Sequence, residues 1–127
     1  MSKKVIKSNH APAPIGPYSQ AVLVGNTLYC SGQVALNPSS GELVISDLAT
    51  ETHQVMKNLR AVLNEASMQF SDVVKCSIFL KDMNDFKEVN AIYGEYFTSD
   101  FPARETVQVA GLPLNVNVEI SLIAIKG

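Results

Sequence analysis

The sequence lacks any basic run longer than Lys3-Lys4. Its 10 Lys and Arg residues are outnumbered by 12 Asp and Glu residues, which gives a formal net charge of -2 and a sequence pI near 5.6. A protein that binds duplex nucleic acid needs a positive surface to neutralise phosphates. The composition therefore argues against nucleic acid as a partner.

Long apolar runs are also missing. No window of the sequence approaches the roughly 20 apolar residues that a membrane-spanning helix requires. The N-terminal MSKKVIKSNH carries positive charge, but no apolar segment follows it as it would in a secretory signal. We therefore expect no membrane partner and no export.

The chain has only two cysteines, Cys30 and Cys76, which are far apart and form no C-x-x-C pair. Each lies in an apolar, strand-like run, so we expect buried free thiols without a catalytic role, as in a reducing cytoplasm. His10 and His53 show no zinc-ligand spacing with each other or with the cysteines. We therefore expect neither a metal nor a cofactor.

What is present is a globular composition, with 46% hydrophobic and 17% charged residues. At 127 residues the chain is predicted to form a single domain over residues 1–127. Apolar periodicities and turn residues run in the order strands, helix, strand, helix, strands, without internal repeats. This order predicts an α+β fold with both helices on one face of a sheet.

The first helix is predicted to begin near Leu48, where Ser46 or Asp47 can accept hydrogen bonds from first-turn amides. Its apolar residues recur at spacings of three and four, which is typical of a helix packed on a sheet. Polar residues between them, including Glu51 and Asn58, are expected mostly on other faces.

The strands Val22–Val24 and Thr27–Cys30 are predicted to pair around a two-residue Gly25-Asn26 turn. In the second helix, helical spacing of apolar residues extends to Phe97, and Asn84 is the predicted N-cap.

The stretch FPARETVQVAGLPLNVNVEI, residues 101–120, reads as two strands joined in a hairpin around AGLPLN. A register symmetric about that loop places Thr106 opposite Glu119 and Arg104 diagonal to it, on the face away from the helices. The residues alone favour an exposed cross-strand ion pair between Arg104 and Glu119, which stabilises a fold by only about 0 to 1 kcal/mol.

The segments PAR and VQVAGLPLNVNVEI, preceded by APIGPYSQA, SGQV and KDMNDFKEVNAIYGEYF, closely resemble the reactive intermediate deaminase A (RidA) family, also called the YjgF/YER057c/UK114 family. The resemblance covers essentially the whole chain. It implies a chorismate mutase-like fold with a mixed β-sheet, and a homotrimer with clefts between subunits. It also implies hydrolysis of 2-aminoacrylate/2-iminopropanoate and 2-iminobutanoate, which pyridoxal phosphate-dependent dehydratases release, to 2-oxo acids and ammonia.

The resemblance assigns catalytic roles to Arg104 and Glu119. Arg104 would bind the substrate carboxylate, and a planar guanidinium suits this task because it offers two parallel charge-assisted donors. Glu119 would orient or activate the water that attacks the imine carbon, as a shielded carboxyl group can.

The substrate-binding positions that the resemblance adds are Tyr18, Ser31, Gly32, Asn90 and Thr106. Thr106 and Gly32 would present backbone groups. Tyr18 would close the pocket with its hydroxyl, Asn90 would line it from the second helix, and Ser31 would lie beside Gly32.

Two positions depart from the family's usual pattern: Glu105 where a small residue is common, and Thr106 where cysteine is common. Glu105 adds a carboxylate next to Arg104, so a reduced or shifted substrate preference stays open. Two other functions also stay open: a non-enzymatic trimer that binds small carboxylates or a regulatory protein, and an endoribonuclease or translation inhibitor, against which the acidic balance argues.

Overall fold

The computed structural model describes residues 2–127. Its strands are β1 (Lys3–Ile6), β2 (Ala21–Val24), β3 (Thr27–Gln33), β4 (Val73–Leu80), β5 (Ala103–Gln108) and β6 (Val118–Ile125), and its helices are α1 (Leu48–Glu65) and α2 (Phe86–Gly94). One sheet contains the six strands in the order β1-β2-β3-β6-β4-β5. All neighbours are antiparallel except β4 and β5, which are parallel.

Both helices cover the same face of this mixed sheet, which we call the helix face; the other side is the open face. The core between helices and sheet includes the fully buried side chains of Leu28, Met56, Leu59, Leu63, Ile78, Leu80 and Ile120. The predicted α+β architecture with two helices on one face is confirmed. Cys30 and Cys76 are free thiols in this core, as expected. Within residues 2–127, neither helix is long and apolar enough to cross a membrane.

The predicted turn between β2 and β3 and the predicted start of α1 are confirmed. β2 and β3 pair around Gly25, whose φ of 61° fits the left-handed conformation that a tight turn requires. Asp47 is the N-cap of α1, and its Oδ1 accepts a hydrogen bond of 2.7 Å from the Thr50 amide. The helix therefore begins where its sequence predicts.

The expectation that the polar residues of α1 lie on faces other than the apolar one is wrong at two positions. Glu51 and Asn58 are completely buried. Asn58 donates hydrogen bonds of 3.0 Å to the carbonyl groups of Val34 and Leu36. Glu51 binds the start of β6. Buried polar groups persist where such bonds replace water, which a pattern of apolar spacing does not reveal.

The predicted cap and end of the second helix are also wrong. A 3-10 turn at Met83–Asp85 precedes α2, and Asp82 rather than Asn84 accepts the capping bond, from the Asn84 amide at 2.9 Å. The helix ends at Gly94, where the low helix propensity of glycine favours termination. Phe97 lies beyond the helix, although its ring still packs in the core.

The predicted hairpin between β5 and β6 is wrong, because β4 lies between these strands. β5 runs parallel to β4 after the α2 crossover, and the segment after β5 then carries the chain past β4 to the antiparallel β6. Apolar alternation reports which residues share a face of a strand, but not which strand is its neighbour. Thr106 is therefore not opposite Glu119.

Candidate active site

Arg104 and Glu119 lie on opposite faces of the sheet. In the strand register Arg104 is level with Cys76, and Glu119 is level with Phe79, three residues further along β4. Side chains three residues apart on one strand point to opposite faces. Arg104 therefore lies on the helix face and Glu119 on the open face, which excludes the predicted ion pair between them within one chain.

The Arg104 side chain is held in a fixed orientation by α2. Its Nη1 donates a hydrogen bond of 2.6 Å to Oδ1 of Asn90. Its guanidinium carbon lies 5.1 Å from the ring centroid of Tyr93 and 5.6 Å from that of Phe86, within the range of cation–π attraction. Because a guanidinium has five N–H donors, the bond to Asn90 leaves others available for an anion.

The space beside this guanidinium is a cleft of about 480 Å³. It is lined by Asn90, Tyr93, Gly94, Phe101, Pro102 and Arg104. The cleft combines apolar walls with one cation, which is the combination that a small carboxylate with an alkyl substituent requires. We call it the Arg104 cleft.

Thr106 follows Arg104 on the helix face of β5. Its Oγ1 is buried and has no hydrogen-bond partner within residues 2–127. Because β5 is an edge strand, one side of its backbone has no ladder partner among residues 2–127. This position is compatible with the predicted backbone role of Thr106, which stays a prediction.

Glu119 lines a second cavity, of about 490 Å³, on the other side of the sheet. Its lining consists of Ile15, Tyr18, Ser31, Gly32, Val34, Leu36, Pro113, Leu114 and Glu119. Burial raises the pKa of the Glu119 carboxyl group above its usual range, because the charged form loses water. We call this space the Glu119 cavity.

Gly32 lies against the Glu119 carboxyl group, and Tyr18 lines the same cavity. A Cβ atom at position 32 would lie 2.8 Å from Oε2 of Glu119, so glycine is what lets the carboxyl group occupy this place. Tyr18 is exposed, and its hydroxyl oxygen accepts a hydrogen bond of 3.2 Å from the Ile15 amide. Ser31 supports this loop, since its Oγ donates a bond of 2.7 Å to the Ser19 carbonyl.

Glu105, next to Arg104 in sequence, points to the open face. Its carboxylate accepts a hydrogen bond from Ser77 Oγ and forms an ion pair of 3.0 Å with Lys75. The Ser77 bond and then Lys75 hold the pKa of Glu105 below its usual range. Lys75 and Ser77 therefore bind the Glu105 carboxylate on the face of the sheet opposite to Arg104.

The two thiols are poor nucleophiles in this structure. Burial raises the pKa of Cys30 to about 12. It also raises the pKa of Cys76, although the Tyr93 hydroxyl and Arg104 oppose that shift. The reactive form of cysteine is the thiolate, which such pKa values disfavour.

Sequence reasoning missed Gln20, which fixes the loop that carries Tyr18. Gln20 is 2% exposed, and its side chain accepts a bond of 2.6 Å from the Ser8 amide. Its Nε2 donates to the carbonyl groups of Ser8, Ala11 and Pro12. The only local signal is a glutamine directly before an apolar strand. The apolar side chains that line the Glu119 cavity were missed too, because they come from three separate loops and turns.

Comparisons with known proteins agree on one group of relatives. Residues 8–126 match the family described as Endoribonuclease L-PSP. The human 2-iminobutanoate/2-iminopropanoate deaminase is 50% identical over 125 residues, which cover 98% of this chain and 91% of that protein. The crystal structure of the YjgF gene product from E. coli superposes with a TM-score of 0.93 at 43% identity, covering 98% of this chain and 99% of that one. E. coli TdcF with bound serine also gives a TM-score of 0.93, at 35% identity and the same coverage.

Proposed function

We propose that this chain, which belongs to the Endoribonuclease L-PSP family, hydrolyses 2-imino acids to 2-oxo acids and ammonia. The resemblance to the RidA/YjgF proteins and the chorismate mutase-like fold are confirmed by the relatives. Several mammalian relatives that are about 50% identical over nearly the whole chain carry the name 2-iminobutanoate/2-iminopropanoate deaminase. The proposed substrates are accordingly 2-aminoacrylate/2-iminopropanoate and 2-iminobutanoate.

The observation that carries the proposal is the separation of Arg104 and Glu119 on two faces of one sheet, each beside its own open cavity. One chain cannot place both groups around one small molecule. A second copy can do so if its Glu119 cavity meets the Arg104 cleft of the first. The family resemblance implies a homotrimer, and we propose one in which each contact between neighbours completes one site; a closed ring uses each cleft and cavity once.

In this site Arg104 binds the substrate carboxylate. Asn90 and the rings of Tyr93 and Phe86 hold the guanidinium plane in place, so little side-chain entropy is lost when the anion binds. Two N–H groups of Arg104 would donate in parallel to the two carboxylate oxygens. Backbone groups of Thr106 and Gly32 would hold the rest of the substrate or the water.

The Glu119 carboxyl group acts on the attacking water. In the ionised form it accepts a proton as the water oxygen bonds to the imine carbon, and it returns that proton to the nitrogen to give a tetrahedral intermediate with a hydroxyl and an amino group. It then accepts the hydroxyl proton and passes it to the nitrogen as the carbonyl forms and the nitrogen departs as ammonia. The raised pKa of Glu119 favours these proton transfers near neutral pH, because a group that exchanges protons works best with a pKa near the working pH. One water is consumed, the carbon–nitrogen bond is broken, and the products are a 2-oxo acid and ammonia.

Pyridoxal phosphate-dependent serine and threonine dehydratases release the enamines that this site would accept, so we propose them as the source of substrate. These dehydratases would share the cytoplasm with this chain, which the two reduced thiols fit.

An alternative is a non-enzymatic trimer that binds small carboxylates or serves a regulatory role. The Arg104 cleft alone would be sufficient for such a function, and Glu119 would then be dispensable. The raised pKa of Glu119 and its contact with Gly32 favour the enzyme. Endoribonuclease activity is disfavoured by the net charge of -2.

The first experiment measures 2-oxo acid formation from 2-aminoacrylate, generated by a dehydratase acting on serine, with and without this protein. Faster release of pyruvate and ammonia is expected. No acceleration by the trimeric protein would exclude the deaminase and favour the binding protein.

A subunit-mixing experiment tests the shared site. The Arg104→Ala variant is expected to be inactive, and the Glu119→Ala variant is expected to keep only a small residual turnover. If they are unfolded and refolded together in equal amounts, about one quarter of the sites in random trimers contain both native residues, so about one quarter of the activity should return. Activity that stays at zero in proven mixed trimers would show that the two residues do not share a site between subunits.

A further inference from the structure

Glu119 lies near the end of its strand, where the sheet itself supports it on one side only. It is the second residue of β6, and its ladder partner in β4 is Phe79. On the other side, β3 pairs with β6 only as far as Gln33, opposite Ile120, after a register shift between Cys30 and Gln33. The ladder with β3 therefore stops one residue before it reaches Glu119.

The chain that leads into β6 is irregular. Leu114 and Asn115 have φ values of 57° and 56°, in the left-handed region that residues other than glycine rarely adopt. Both side chains are exposed. The direction in which β6 begins must therefore be set by contacts other than a regular hairpin.

Glu51 supplies those contacts from α1. Its side chain is fully buried, with 0% exposure. Oε1 accepts a hydrogen bond of 2.7 Å from Nδ2 of Asn117, and Oε2 accepts bonds of 2.8 Å from the Asn117 amide and 3.3 Å from the Val118 amide. The Asn117 carbonyl oxygen also accepts a bond of 3.0 Å from the Lys81 amide, so Asn117 is held from two sides.

We propose that Glu51 is a positioning residue that keeps the Glu119 carboxyl group over Gly32, through Asn117 and Val118. The inference rests on the proposed role of Glu119 in imine hydrolysis. Glu51 itself touches no substrate, because it is buried between α1 and β6. Its effect on catalysis is transmitted through the backbone amides of Asn117 and Val118 to the next residue, Glu119.

The three hydrogen bonds that Glu51 accepts from Asn117 and Val118, which we call the Glu51 clamp, require a carboxylate. All three contacts are donors, and a carboxylate offers only acceptors at both of its oxygens. Glutamine has almost the same shape, but its NH₂ group would face a donor at one of the two positions. Glu51→Gln therefore loses at least one bond and sets two donors against each other, while it leaves the volume of the core unchanged.

The activity arm uses Glu51→Gln in the full-length protein. We expect kcat to fall about 10-fold or more, since small displacements of reacting groups are costly, with little change in KM. In a Glu119→Gln background the same substitution should cost nothing further. An equal loss of rate in both backgrounds would overturn the proposal, because Glu51 would then act by a route that does not include Glu119.

The second arm does not depend on activity. A ¹³C NMR titration of the Glu119 carboxyl carbon follows its position, because release from Gly32 into water lowers its pKa towards the usual glutamate value. We expect this lowering in Glu51→Gln. An unchanged Glu119 titration in a folded variant would contradict the proposal. If the parent protein had no deaminase activity, the proposed function would be wrong. The NMR titration would then still test whether Glu51 positions the Glu119 carboxyl group.

Two further variants separate positioning from loss of stability. Thr52→Ala removes the neighbouring buried hydroxyl of α1, which donates a hydrogen bond of 2.8 Å to the Leu48 carbonyl within the helix. It should lower the unfolding temperature without moving the Glu119 titration or kcat. Asn117→Ala removes one of the three clamp bonds and should give a smaller change than Glu51→Gln in the same direction. If Glu51→Gln does not fold, Asn117→Ala decides the question.

Discussion

Gly32 lies directly against the carboxyl group of Glu119. A Cβ at position 32 would be 2.8 Å from both Cδ and Oε2 of Glu119 and 3.0 Å from Cγ. Such distances are shorter than carbon atoms tolerate, so any other residue at position 32 displaces the Glu119 side chain. The strand-end glycine thus defines where the carboxyl group is held, rather than only ending a strand.

Gly32→Ala should therefore impair catalysis more than folding. The end of a glutamate side chain can rotate away, so we expect a loss of stability of about 1 kcal/mol. The displaced carboxyl group should lower kcat by about 10- to 100-fold. Steady-state kinetics and thermal unfolding measure the two effects. Gly111→Ala is the matched control, because nothing lies within 4 Å of a Cβ there. Equal rates for the two variants would contradict the assignment.

Local features of this fold could be predicted because their causes are local. The β2–β3 turn depends on Gly25, and the start of α1 depends on the side chain of Asp47. The order of β4, β5 and β6 could not be predicted, because it depends on which strand lies beside which after a helical crossover. Alternation within β5 and β6 is the same whether these strands are neighbours or are separated by β4.

The candidate site likewise combines features that could be predicted from the sequence with features that could not. The residue types that line it follow from the family resemblance, and the structure brings Tyr18, Ser31 and Gly32 together around Glu119. The opposite orientation of Arg104 depends on the β4–β5 register, which no local pattern reports. Glu51 was missed for a different reason, since a charged residue on a helix is normally solvated, and its burial is explained only by distant amides.

Arg104→Lys tests the geometry of carboxylate binding. A lysine keeps the positive charge but loses the planar fork, so it cannot donate in parallel to two oxygens. Because the lysine side chain is shorter, the hydrogen bond to Asn90 is also lost. We expect KM to rise about 10- to 100-fold, equivalent to the loss of a charge-assisted hydrogen bond, and Arg104→Ala to abolish hydrolysis. Both variants should stay trimeric by analytical ultracentrifugation. Near-normal ammonia release by Arg104→Ala would exclude the assigned role.

Glu119→Gln should change the pH dependence of stability. The folded state raises the pKa of Glu119, so between the unfolded and folded pKa values the folded protein binds more protons. The stabilisation conferred by the protonated carboxyl group is complete below the unfolded pKa and is lost as the pH rises through the folded pKa. Above that point the parent carries a buried charge that glutamine lacks. Relative to the parent, Glu119→Gln should therefore be more stable at neutral pH than at acidic pH.

Urea denaturation of both proteins across the acidic and neutral range measures this difference. Asp47→Asn gives the opposite sign, because hydrogen bonds from Thr50 lower the pKa of Asp47 and its contribution is lost as the pH falls. A stability difference between parent and Glu119→Gln that does not depend on pH would contradict the raised pKa.

Glu105→Ala tests whether the unusual carboxylate beside Arg104 alters the reaction. The Glu105 side chain points to the open face, where Ser77 and Lys75 bind it, while Arg104 points to the helix face. We therefore expect kcat/KM for 2-iminopropanoate to stay within about twofold of the parent, because an exposed ion pair contributes little. The oligomeric mass of both proteins is verified before the assay, since the open face is also a candidate contact surface. A large gain in kcat/KM on removal of Glu105 would show instead that its charge reaches the substrate site.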